Sequence, residues 1–274
     1  MSLVLVKKVG LPALVCAELQ KMKRCQMLLV GFIALALCPA LQLGTQYVVD
    51  ESVRNPNFDL LALFDSVIWG NAQVFLPLSF TLIGGYWISR EITDDTLKNM
   101  LTVPVSFPRM IAGKLLALML LSVLFGLYSC VMTLLIGGAA GLARPDTGVL
   151  IGRCAQNIAI CACTCAVTLP IIVLFGRTPG AYLGGAVFAF FCGYSILFFK
   201  SGPLRSVYPF LAPFSIVGFD TANFNGAKEP ANIVLSALSM LAMLALTAGL
   251  TLTSKPPERT SHKAAHGQKT GQRR

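Results

Sequence analysis

Long stretches without a single charged residue constrain this chain more than any other feature. Six can be drawn: 25–49, 66–89, 115–143, 154–176, 178–199 and 230–254. A helix of about 20 residues is long enough to cross bilayer hydrocarbon. A charge at mid-membrane costs roughly 2.5–3.5 kcal/mol, so six gaps of this length are not accidental. The chain is 55% hydrophobic and only 12% charged, an apolar excess that a soluble core of this size does not need. The pattern predicts an all-α, polytopic membrane protein, with six transmembrane helices in one domain over residues 1–254. Residues 255–274 are basic, polar and proline-bearing, and are expected to form a disordered tail at the inner surface.

The run Ser206–Phe219 is also uncharged, but it is short and holds Pro209 and Pro213. A re-entrant or interfacial segment suits it better than a span. The opening residues MSLVLVKKVG place charge after apolar residues, the reverse of a secretory signal, so no cleaved leader is expected. With both termini placed in the cytoplasm, only Arg54, Arg144, Arg153, Lys200, Arg205 and Lys228 of the 22 basic residues fall outside. That bias sets the topology. The net charge of +10 is then mostly an anchor against anionic membrane lipid. No nucleic-acid partner is expected, because no basic run is interleaved with aromatic residues. Trp69 and Trp87 lie about 27 Å apart along a helix, which suits one indole at each interface or two packed inside the bundle.

Two segments break the apolar pattern. Near the start, Leu11, Leu14, Val15, Leu19 and Met22 recur at helical spacing, with Glu18, Gln20, Lys21, Lys23 and Arg24 assigned to the other side. This predicts an interfacial amphipathic elbow helix, either a lipid anchor or a partner contact. Between the second and third spans lies SREITDDTLKNMLTVPVSFPRMIAGK, Ser89 to Lys114. Thr93 is placed to cap a short helix with Asp94 and Asp95 in its first turn, and Pro104 stops that helix. Ser106 is placed to cap the next, with Pro108 in its first turn. Helix, break, helix makes a protruding elbow on the cytoplasmic side, read either as a solvated connector or as a docking element.

The insert resembles one in the permease subunits of ABC-2-type exporters. Glu91, Thr96, Leu97, Lys98, Asn99, Leu101, Thr102, Pro104, Val105, Ser106, Gly113 and Lys114 carry the likeness. Its TLKN stretch is similar to that of the bacitracin-resistance and lantibiotic-immunity branch. Phe107 and Pro108 stand before Arg109, where that family usually has an earlier basic residue. The resemblance implies a multi-pass protein of the bacterial plasma membrane, and an insert that acts as a cytoplasmic coupling helix in the groove of a separate ABC ATPase subunit. Glu91 would be the hinge or relay contact. Asp94, Asp95, Thr96, Lys98, Asn99 and Arg109 would complete the coupling surface. Glu18, Lys21 and Arg24 would belong to an elbow helix that touches the same ATPase. ATP and Mg²⁺ would sit on that partner, none on this chain, and a second permease copy or paralogue would complete the transporter. The cargo implied is an amphipathic compound such as a peptide antibiotic. Alternatives are an accessory permease for copper or sulfur species, and a non-transporting receptor or immunity protein.

Other motifs narrow the reading. A phosphate-cradling loop needs Gly-x-x-x-x-Gly-Lys-Ser/Thr, but Pro108 stands at the first glycine and Leu115 follows Lys114. Both histidines, His262 and His266, lie in the tail, and Asp65 and Asp220 only border the spans. An intramembrane enzyme would lack its acid–base groups. Cys154, Cys161 and Cys165 share one helical stripe, which is either a weak soft-metal candidate or small-residue packing. Asn71, Gln73, Gln156 and Asn157 are polar groups at membrane depth, expected either to line a translocation path or to bond helix to helix.

Overall fold

Every described element of the computed structural model is helical, and the description covers residues 10–22, 25–50, 57–93, 106–227 and 230–254. Helix α1 is Leu11–Met22, α2 Met27–Val48 and α3 Leu60–Gly70. A π-helical turn, Asn71–Phe75, joins α3 to α4, Leu76–Thr93. Then come α5 (Phe107–Ala139), α6 (Thr147–Gly176) and α7 (Tyr182–Tyr194), the last extended by a 3-10 turn, Ser195–Phe198. Three short helices follow, α8 (Pro203–Val207), α9 (Ala212–Val217) and α10 (Ala222–Asn225), before α11 (Ile233–Leu252).

The all-α polytopic expectation holds. Among the described residues, five helices are long and apolar enough to cross a membrane: α2, the continuous helix over residues 60–92, α5, α6 and α11. The fifth expected span is shorter, a 13-residue helix plus a four-residue 3-10 turn. At 1.5 and 2.0 Å per residue it reaches about 27 Å, against hydrocarbon about 30 Å thick.

Caps and pairing explain why two helices start earlier than the charge-free stretches. Asp59 caps α3 by accepting from the Ala62 N–H at 2.8 Å, and Asp146 caps α6 by accepting from the Gly148 N–H. Asp65 and Arg153 then lie inside helices, where they pair with each other at 3.0 Å. Asn232 caps α11 by accepting from the Val234 and Leu235 N–H groups. The helix over 60–92 and α6 are the most enclosed; α2 and α11 are the least. Leu29, Ile33, Leu37 and Leu41 stand out from α2 at every fourth position, as side chains facing lipid or another apolar surface do.

The short helices α8 and α9 pack on α11 and do not span, as the two prolines require. Both tryptophans are buried in protein. Trp69 stacks on Phe224, and Trp87 lies under Lys114, so neither forms a lipid-facing belt. Thr93 is the last residue of α4, and the short helix it was expected to cap lies outside the described residues.

The π turn has a local cause. Pro77 has no N–H to give to the Gln73 carbonyl four residues back. The helix widens over Asn71–Phe75, just ahead of that proline. The Gln73 carbonyl lies against Gly193 of α7, where any Cβ would collide with it.

Candidate functional site

The two ends of the charged insert and the elbow helix meet in one ionic cluster. Gly113 makes the approach possible: a Cβ there would come within 2.6 Å of Leu14 Cδ2. With that space left open, α1 lies across the start of α5. Glu18, one turn beyond Leu14, then reaches Lys114. The Lys114 ammonium donates to Glu18 Oε2 at 2.6 Å and pairs with Glu91 Oε1 at 2.9 Å. Lys21 closes the square, donating to Glu18 Oε1 at 2.8 Å and to Glu91 Oε1 at 3.0 Å. Trp87 supports Lys114 from below, its ring centroid 4.7 Å from the ammonium.

Burial differs sharply within the square. The Lys114 and Glu18 side chains are each 1% exposed, Glu91 is 11% and Lys21 is 46%. Desolvation lowers the Lys21 pKa, but its bonds to Glu18 and Glu91 and the charges on both outweigh that and raise it above 10.5. Its charge is therefore held across the neutral range. Three elements meet here, α1, the end of α4 and the start of α5, and the last two flank the insert directly.

Sequence periodicity put Glu18 on the polar side of α1; the structure buries it. Leu14, Glu18 and Met22 are spaced by four, so Glu18 belongs to the packed stripe. Lys114 was the residue missed as a site. Its signal was its position, one residue before a long charge-free run and next to a glycine. Arg109 is exposed in the first turn of α5, away from the square. The expected coupling residues Asp94, Asp95, Thr96, Lys98 and Asn99, and Arg24 of the elbow, lie outside the described residues.

The polar residues at depth divide. Asn71 and Asn157 are fully buried and meet: the Asn71 amide donates to Ser129 Oγ at 2.9 Å and to Asn157 Oδ1 at 3.5 Å. Asn157 in turn donates to the Gly126 carbonyl at 3.4 Å, so the pair ties the π turn, α5 and α6 together. Gln156 sits near the far end, its side chain accepting from Arg153 at 2.7 Å. Gln73 lies on the π turn. Cys161 and Cys165 are buried against neighbouring helices, with Cys165 donating to the Leu118 carbonyl, while Cys154 is partly exposed. Among the described residues no three His, Cys, Asp or Glu side chains gather as a metal set.

The family model described as ABC-2 family transporter protein matches residues 14–196. The chain belongs to the ABC-2 transporter family. The match runs from Leu14 of the elbow to Ile196, so it contains all four residues of the ionic square and both flanks of the insert. An ABC-2 chain of this kind is the membrane component of a transporter and works with an ABC ATPase. No curated protein matched the sequence. Within this permease, the square is the place where the elbow and the insert's two flanks are joined.

Proposed function

We propose that this permease belongs to an ATP-driven exporter of an amphipathic compound such as a peptide antibiotic, and that the ionic square transmits the stroke of a separate ATPase. The observation that carries the reading is the joining of Glu18, Lys21, Glu91 and Lys114 across α1, α4 and α5. The insert, with Asp94, Asp95, Thr96, Lys98 and Asn99, docks on the ATPase at the cytoplasmic face. ATP and Mg²⁺ bind there, not on this chain. The elbow helix rests on the same partner and moves with the insert, because the square holds them as one body. A second permease, a copy or a paralogue, pairs with this one, and the cargo moves between the two.

Glu91 is the residue to test, because Glu18 still faces both lysines when it is neutralised. Glu91→Gln should leave membrane insertion and melting close to wild type. It should lower cargo-stimulated activity of the co-purified ATPase by roughly tenfold, the equivalent of one charge-assisted hydrogen bond at about 1.5 kcal/mol. Unchanged stimulation in Glu91→Gln, and in alanine variants of Asp94, Asp95 and Lys98, would remove the coupling assignment.

A further inference from the structure

At the end of the bundle away from the ionic square, the chain between α7 and α11 folds back around a half-open cavity of about 470 Å³. Leu211, Phe214, Phe219, Arg205, Asp220 and Thr221 are among the residues that line it. That size falls within the range of small-molecule sites. Arg205 is only 8% exposed. Its Nη2 donates to Thr221 Oγ1 at 2.7 Å, while its Nη1 is buried without a hydrogen-bond partner among the described residues. A guanidinium buried short of its acceptors is costly, and its planar fork suits a bidentate oxyanion. Asp220 lines the same cavity but is exposed, and it accepts from the Ala222 N–H at 2.9 Å. Among the described residues it makes no ion pair with Arg205. A cation therefore lies at depth, an anion at the rim, and aromatic rings stand alongside.

We propose that this cavity binds a zwitterionic amphiphile head group, with its phosphate or carboxylate on Arg205 and its ammonium toward Asp220. The chemistry is shared by a phosphoethanolamine lipid and by a free zwitterion. The site stands apart from motor coupling and requires no ATPase. Arg205 and Asp220 set the polarity of the bound group, and Phe214 and Phe219 cover its apolar start.

The cavity has a built-in reporter. Trp69 lies 5.3 Å from Phe214 and 5.2 Å from Phe224, centroid to centroid, and Phe214 is a cavity wall. The full-length protein in phosphatidylglycerol nanodiscs is titrated with O-phosphoethanolamine and with inorganic phosphate while tryptophan emission is followed. Native mass spectrometry of protein from mixed phosphatidylethanolamine and phosphatidylglycerol membranes gives the lipid arm. Phosphoethanolamine is expected to saturate the emission change at least tenfold more tightly than phosphate. Arg205→Gln should weaken it at least tenfold, Arg205→Lys less, and Asp220→Asn should erase the preference over phosphate. Selective retention of phosphatidylethanolamine without a response to the soluble probe assigns the site to lipid; a response to the soluble probe assigns it to a free zwitterion. Wild-type protein that shows neither overturns the proposal whatever the variants do. An unchanged affinity in a folded Arg205→Gln protein also overturns it, and phosphate binding as tightly as phosphoethanolamine removes the role of Asp220.

Discussion

Lys114→Met should destabilise the permease by about 3–5 kcal/mol, the usual cost of removing one partner from a buried ion pair. The loss falls on Glu18, which is 1% exposed and would keep only Lys21. Methionine fills much of the volume and still packs on Trp87, so the effect reports charge more than cavity. Thermal melting of the purified protein in detergent measures it. The control is a second change in the same background: Glu18→Gln with Lys114→Met removes the stranded carboxylate and should recover about half of the loss, since a pair replaced together costs far less than a pair broken. Lys21→Met should cost no more than about 1 kcal/mol, because Lys21 is 46% exposed and water screens it. Wild-type melting in Lys114→Met would show that the square does not hold the elbow against the bundle.

The apolar stretches and the helix start after Ser106 were readable because hydropathy and proline act locally. Ser106 does precede α5, with Pro108 in its first turn. The square was only half readable. Glu91 and Lys21 carried a motif or a position, but Glu18 was assigned by periodicity to the wrong side. A charge inside an apolar stripe gives no local sign of its partner, and that partner lies 96 positions away. The same applies to Asp65 and Arg153, which bounded the expected spans as obstacles. Paired, they sit inside α3 and α6. Asn71 and Asn157 were legible as polar residues at depth, and their contact depends on the packing of the π turn against α6. In each case the sequence shows a group that needs a partner, and only the fold supplies its identity.

Gly193→Ala should be the most damaging of the small substitutions in α7. A Cβ at that position would collide with the Gln73 carbonyl oxygen and come within 3.1 Å of Pro77 Cγ. Neither obstacle can rotate away: one is backbone, and the other is a closed ring that also deprives Gln73 of its helical donor. Overpacking a helix contact costs about 1–3 kcal/mol and sometimes more, and a backbone obstacle puts this case at the upper end. Gly184 supplies the control within the same helix. A Cβ there meets nothing within 4 Å. Gly184→Ala should therefore be neutral or stabilising by up to about 1 kcal/mol through helix propensity alone. The two alanines differ only in what lies opposite them, so the difference between their melting temperatures isolates the approach of α7 to the π turn. Equal melting would mean that α7 stands off from Gln73 and that the wide turn is set by Pro77 without help from its neighbour.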